Sequence, residues 1–134
     1  MKLLLSFIFL AFAGLCSAQS GPIIPIPQVD TVYTNPEVYA SYPGGDVAWK
    51  KYVKRNLKYP KKAWWDLIEG DVAVKLVIEK DGTISNAWNL TTTGYGFEQE
   101  AIRLIKQSGK WIPARHRGQV VKSEGELTIL FRLK

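Results

Sequence analysis

Residues 70–90 read GDVAVKLVIEKDGTISNAWNL, and this stretch decides the fold of the chain. Its first half alternates apolar and mostly polar positions, with the apolar series at Val72, Val74, Leu76 and Ile78. A period of two is typical of a β-strand that buries one face. Lys80-Asp81-Gly82 then predicts a tight hairpin turn, in which Gly82 takes the positive φ that glycine tolerates.

The return strand, residues 83–90, is less regular. Ile84, Trp88 and Leu90 share one face with the polar residue Asn86. One extra residue in the strand, a β-bulge, would shift the register at this point. We therefore expect an antiparallel hairpin with a bulge in its second strand.

Helical patterns flank the hairpin on both sides. After Pro43-Gly44-Gly45, with Asp46 expected as the N-cap, apolar residues recur at helical spacing at Trp49, Tyr52, Val53 and Leu57. This helix is expected to end near residues 56–57, since Pro60 disfavours helical geometry just before it and can itself begin a second short helix. After the hairpin, a second amphipathic helix is predicted from Phe97, Ala101, Leu104 and Ile105.

A last strand is expected from about Glu124, with Leu127, Ile129, Phe131 and Leu133 on one face. The preceding segment, residues 115–118, is expected to be a basic loop with a solvated His116. The predicted order is helix, short helix, strand, strand, helix, strand. It indicates an α+β fold, a two-layer sandwich of a three-stranded antiparallel sheet with two main helices on one face.

The first 43 residues have a different character. Residues 1–18 have a cation, Lys2, next to the initiating Met1, then an apolar run, and end in Cys16-Ser17-Ala18; this pattern is typical of a cleaved secretory signal peptide. Residues 19–43 hold five of the seven prolines and are expected to form a Pro-rich tether, followed by one domain at 44–134. No later run is long and apolar enough to span a membrane, so no integral span is expected in the mature chain.

The basic residues are concentrated in one patch. Residues 50–62 contain seven cations and no acid, whereas the whole chain has a net charge of +6, or +5 without Lys2. This basic patch has two interpretations: a surface that docks on acidic protein or anionic lipid headgroups, or an ordinary solvated helix face. Its members are Lys50, Lys51, Lys54, Arg55, Lys58, Lys61 and Lys62.

Several function classes lack the residues that they need. Cys16, in the predicted signal peptide, is the only cysteine, and His116 is the only histidine, so no cofactor, metal site or catalytic residue is predicted. Glu98 and Glu100 are two apart on a predicted helix and do not face each other, which excludes a paired-carboxylate site. An exported chain without a recognised nucleic-acid motif is not expected to bind nucleic acid. We therefore expect a protein that is not an enzyme.

Short motifs along residues 42–133 resemble the C-terminal domain of the TonB family, the periplasmic energy-transducing proteins of Gram-negative bacteria. Each motif also has a purely structural interpretation, as turn glycines and packed helix ends, and we interpret the set mainly as a fold motif. The residues that carry it most clearly are Tyr59, Pro60, Ala63, Gly70, Asp81, Gly82, Trp111 and Pro113.

The resemblance implies a binding surface at the edge of the sheet. In the family, the C-terminal strand pairs with the TonB box, a short segment of an outer-membrane transporter, by strand addition. A capped edge, with residues 119–121 folded over it, or a strand-swapped homodimer are the alternatives. The edge would consist of Glu126, Leu127, Thr128, Ile129, Leu130, Phe131, Arg132 and Leu133.

The chain departs from a full energy transducer at its N-terminus. A transducer keeps its membrane helix and has a long Pro-rich stalk, whereas this sequence predicts a cleaved signal and a tether of 25 residues. The resemblance therefore implies a stand-alone periplasmic module that acts in TonB-dependent transport. The module would be free in the periplasm or associated with the inner or outer membrane. The alternative is a structural or inhibitory interaction module that reuses the fold without a role in energy transduction.

Overall fold

The computed structural model describes residues 21–22 and 30–134. The predicted signal peptide, with Cys16, and part of the predicted tether lie outside the described residues. In the described part of the chain, no helix has both the length and the apolar character needed to cross a membrane.

Three helices and five strands follow one another along the described chain. In order they are α1 Gly45–Asn56, α2 Lys61–Trp65, β1 Gly70–Ile78, β2 Ile84–Asn89, α3 Phe97–Lys106, β3 Ala114–His116, β4 Gln119–Val121 and β5 Ser123–Phe131. The expected order is therefore confirmed, with one additional pair of short strands, β3 and β4.

The main sheet has the strand order β2-β1-β5, and both pairings are antiparallel. β1 is the central strand, since it pairs with both β2 and β5, and its residues Val72, Val74, Leu76 and Ile78 are at most 1% exposed. Their side chains meet those of α1 and α3 in a single core. The predicted α+β fold, a three-stranded antiparallel sheet with helices, is thus confirmed.

The hairpin contains the expected bulge. Val77 lies opposite Asn86 whereas Ile78 lies opposite Ile84, so Ser85 is the extra residue. As a result, Ile84 and Ala87 both contribute to the core. Sequence periodicity did not find Ala87, because the bulge breaks the period of two on which it depends.

The two main helices, α1 and α3, differ in how deeply their apolar side chains are buried. In α3 the four predicted apolar residues are all buried, at positions 97, 101, 104 and 105. In α1 no side chain is fully buried, and the expected N-cap is wrong: Gly44 is the N-cap, with φ +88°, and Asp46 lies within the first turn. The hydroxyl of Tyr52 donates to the carbonyl of Leu104 over 2.8 Å and joins α1 to α3, and burial raises the pKa of Tyr52.

An aromatic cluster completes the attachment of α1. Trp49 lies 5.3 Å from Tyr42, 5.5 Å from Tyr52 and 5.4 Å from Trp111, measured between ring centroids. These side chains are only partly buried, except for Trp111. The predicted apolar stripe of α1 therefore packs on the rim of the core, and part of it faces outward.

The expected basic loop at residues 115–118 is instead a hairpin. β3 and β4 pair antiparallel, and the turn between them is formed by Arg117 and Gly118, both at positive φ. His116 is not solvated as expected: it is half-buried, its ring lies 4.9 Å from that of Tyr33, and its Nδ1 has no partner among the described residues.

Candidate functional site

Residues 33–41, here called the strap, run across one end of the domain. Val38 and Ser41 form antiparallel bridges to Arg115 and Ile112. Tyr33 forms a parallel bridge at the start of β5, where its N–H donates to the carbonyl of Lys122 over 2.9 Å and its carbonyl accepts from the N–H of Glu124 over 3.0 Å. The strap therefore covers only the beginning of β5.

The rest of β5 is open. Alternate residues of a strand direct their backbone N–H and C=O groups to the same side. The N–H of Glu124 points away from β1, so the backbone groups of Glu126, Thr128 and Leu130 point away from β1 as well. No strand or loop among residues 21–22 and 30–134 pairs with these three residues on that side. Their N–H and C=O groups form what we call the free edge.

A groove of about 600 Å³ lies alongside the free edge. One wall is the outward side of α1, with Trp49, Lys50, Val53, Lys54 and Leu57. The opposite wall is β5 at residues 128–130, and Tyr59 and Trp64 also line the groove. The partly exposed apolar side chains of α1 thus face a backbone that still has hydrogen bonds to form.

The end of β5 differs from the expected edge. The strand stops at Phe131, so Arg132 and Leu133 lie beyond it. Arg132 forms an ion pair with Asp71 at 2.6 Å, which raises the pKa of Arg132, and the N–H of Leu133 donates to Glu69 over 2.8 Å.

The side chains of the eight expected edge residues do not form one exposed surface. Ile129 and Phe131 are buried in the core, and Leu127 is half-buried against it. Only Glu126, Thr128 and Leu130 combine an exposed side chain with outward backbone groups. Any binding along β5 would therefore depend on backbone pairing at three positions. The alternative in which residues 119–121 cover this edge is wrong, since β4 pairs with β3.

All seven residues of the basic patch are exposed. None of them forms an ion pair within the described residues. Lys62 lies over the ring of Tyr95, with its Nζ 5.6 Å from the ring centroid. Lys50 and Lys54 face the groove, whereas Lys61 lies beside the tryptophans of α2. The patch therefore extends from the groove around to α2.

The motif residues that the resemblance singled out are spread through the framework. The Tyr59 hydroxyl donates to the carbonyl of Ile68 over 2.6 Å, and its ring meets those of Phe97 and Phe131 edge-on. Burial raises the pKa of Tyr59.

The other motif residues are also close-packed or in turns. Pro60 is the N-cap of α2 and Ala63 is fully buried. A Cβ on Gly70 would lie 2.7 Å from Thr93 Cγ2, and Pro113 immediately precedes β3. In the hairpin turn, Asp81 accepts hydrogen bonds from Thr83, which lower the pKa of Asp81.

Comparison with known families identifies the fold. The family model described as Gram-negative bacterial TonB protein C-terminal matches residues 55–133. No curated protein matches the chain. The matched part contains the free edge, whereas most of α1, which forms the other wall of the groove, precedes it.

Proposed function

Because the chain belongs to the family of Gram-negative bacterial TonB protein C-terminal domains, we propose that it binds the TonB box of an outer-membrane transporter by strand addition. Domains of this family act in energy transduction and protein interaction rather than as enzymes, and the family has a general role in transport. The specific partner and the binding mode are our proposal.

The free edge is the observation that carries the proposal. Glu126, Thr128 and Leu130 offer three N–H donors and three C=O acceptors in a row. An extended peptide can pair with such a row through its own backbone. Three positions spaced two residues apart match a peptide of about five residues.

The groove supports the same binding mode. A peptide that lies along β5 would direct alternate side chains toward the outward side of α1. There Trp49, Val53 and Leu57 present apolar surface, and Lys50 and Lys54 are exposed at the same wall. Backbone pairing would provide affinity, and the groove would select the side chains.

We also propose that the protein works in the periplasm, after removal of residues 1–18. The features that support this are the apolar leader with small residues at its end and the family itself. Sequencing the N-terminus of the protein recovered from cells tests it: we expect Gln19 as the first residue. A chain that still begins at Met1 in the inner membrane would contradict it.

Peptide binding can be tested with two substitutions at Thr128. Thr128→Pro removes one outward N–H and leaves the hydrogen bonds between β1 and β5, which come from the neighbouring residues. Thr128→Val keeps the N–H and changes only the side chain. We expect Thr128→Pro to weaken the binding of a TonB-box peptide by about tenfold or more, and Thr128→Val by less than about threefold.

Calorimetric titration would give both affinities, with the unfolding curves of the variants as a check on their fold. Equal affinity for both variants would contradict strand addition. No binding at millimolar peptide would instead favour a structural or inhibitory module, including a homodimer that pairs two β5 edges.

A further inference from the structure

The end of α2 carries an exposed apolar cluster, of which only Trp64 also lines the peptide groove. Trp65 is 74% exposed and Leu67 is 75% exposed, and neither lines the groove. Trp64, 52% exposed, packs edge-on against Trp65 with 5.0 Å between ring centroids. Contiguous exposed side chains of this size mark interaction surfaces. We call Trp64, Trp65 and Leu67 the apolar tip.

The backbone conformation of Leu67 is unfavourable for a leucine. The N–H of Ile68 donates to Ala63 and that of Leu67 donates to Trp64, which is the Schellman pattern that ends a helix. Leu67 occupies the position with φ +56°, where glycine is the usual residue because any Cβ is strained. Its side chain buries little surface in return, so the fold itself gives no reason for a leucine here.

Three lysines lie near the apolar tip in the sequence, and one exposed acid, Asp66, lies between Trp65 and Leu67. Lys58, Lys61 and Lys62 are exposed and have no ion pair in the described part of the chain. Lys61 shares one surface depression with Trp64 and Trp65. Tryptophan next to lysine is typical of a surface at the membrane–water interface, where indole rings lie at headgroup level and ammonium groups contact phosphates.

We propose that the apolar tip inserts into the interface of a bilayer with anionic headgroups, and that Lys58, Lys61 and Lys62 bind its phosphates. The composition of the patch favours lipid over an acidic protein. Six of its seven cations are lysine, a residue depleted at protein interfaces, whereas an anionic leaflet attracts any cation. The side chains also project outward from a short helix instead of filling a pocket. Trp64 is shared between the apolar tip and the groove, whereas Trp65 and Leu67 belong to the tip alone.

Sedimentation with lipid vesicles tests the proposal. The chain from Gln19 is the suitable form, because it contains every described residue and lacks the apolar leader, which would itself enter lipid. We expect it to bind phosphatidylcholine vesicles that contain phosphatidylglycerol, and to bind pure phosphatidylcholine much more weakly.

Two substitutions separate insertion from folding. Leu67→Gly should reduce vesicle binding by roughly threefold or more. The same substitution should raise the melting temperature, since glycine relieves the positive φ. Trp65→Ser should reduce binding further. Tyr39→Ser is the matched control, because Tyr39 is 59% exposed and lines a different depression, and it should leave binding unchanged.

Paired lysine substitutions test the electrostatic part. Lys61→Gln with Lys62→Gln should weaken binding to anionic vesicles by about tenfold or more. Lys106→Gln with Lys110→Gln, which removes the same charge elsewhere, should weaken it by less than about threefold. Equal effects of the two pairs, unchanged binding of Trp65→Ser, or absence of sedimentation would overturn the proposal. So would a homodimer that Trp65→Ser dissociates without any vesicle binding, which would assign the tip to a second copy.

Discussion

Gly82 and Trp111 meet backbone to backbone. The N–H of Trp111 donates to the carbonyl of Gly82 over 2.8 Å, and a Cβ on Gly82 would lie 2.0 Å from the carbonyl oxygen of Trp111. The β1–β2 turn is thereby joined to the segment after α3. The indole N–H of Trp111 donates to Ser108 Oγ, which donates in turn to the carbonyl of Ile105. Two motifs that are far apart in sequence are thus one structural unit.

We predict that Gly82→Ala lowers the free energy of unfolding by about 3 kcal/mol, from the positive φ and from the clash with Trp111. Gly109→Ala is the matched control, because Gly109 has φ +83° and open space at its Cβ position. It should cost only about 1 kcal/mol. Urea unfolding measures both, and equal costs would show that the Gly82–Trp111 contact adapts without strain.

We predict that Glu98 stabilises the fold only in its charged form. Burial alone would raise the pKa of Glu98, but hydrogen bonds from the backbone N–H groups of Thr93, Gly94 and Glu98 itself outweigh burial and lower it below the usual 4.5. A lowered folded pKa means that this stabilisation is present above the unfolded pKa and is lost as pH falls through the folded value.

Glu98→Gln should therefore lower the free energy of unfolding by about 1 kcal/mol at pH 7, and its effect should shrink as the pH falls through the lowered pKa of Glu98. The measurement is urea unfolding at a series of pH values. Glu126→Gln is the control, since Glu126 is exposed and has no hydrogen bond or ion pair in the described structure. A difference between wild type and Glu98→Gln that stays constant with pH would refute the charged role.

We predict that the strap sets where the free edge begins. In a chain that starts at Asn35, the N–H of Glu124 loses its bond to Tyr33, so its hydrogen exchange should accelerate by about tenfold or more. A chain that starts at Asp30 keeps the strap and should exchange like the longer protein. Unchanged protection of Glu124 in the shorter chain would mean that Tyr33 does not cap β5.

Sequence predicted those parts of the fold in which burial follows a regular period. The alternation around Val74 and the helical spacing around Leu104 each predicted a strand or helix that the structure contains. The β3–β4 hairpin was missed because its strands have three residues each, too short to show a period, and one of them contains Arg115. Asp46 was a plausible cap, but Gly44 adopts the positive φ from which the helix begins.

The candidate site was less predictable than the fold. The final strand was expected as an edge, and its open side follows from the sheet order. The groove was not expected, because the spacing of Trp49, Val53 and Leu57 is the same whether a helix face is buried or lines a cleft. The strap was not expected either, since its contacts at Tyr33 and Val38 are single backbone bridges, which leave no periodic signal.

Amide hydrogen exchange along β5, with and without a saturating TonB-box peptide, tests strand addition most directly. We predict that the amides of Glu126, Thr128 and Leu130 gain protection, while those of Leu127 and Ile129, already bonded to β1, change little. At a peptide concentration that half-saturates the unsubstituted chain, Thr128→Pro should reduce the gain at Glu126 and Leu130. Protection along β2, the other edge of the sheet, or no alternating gain in β5 would contradict the proposed binding mode.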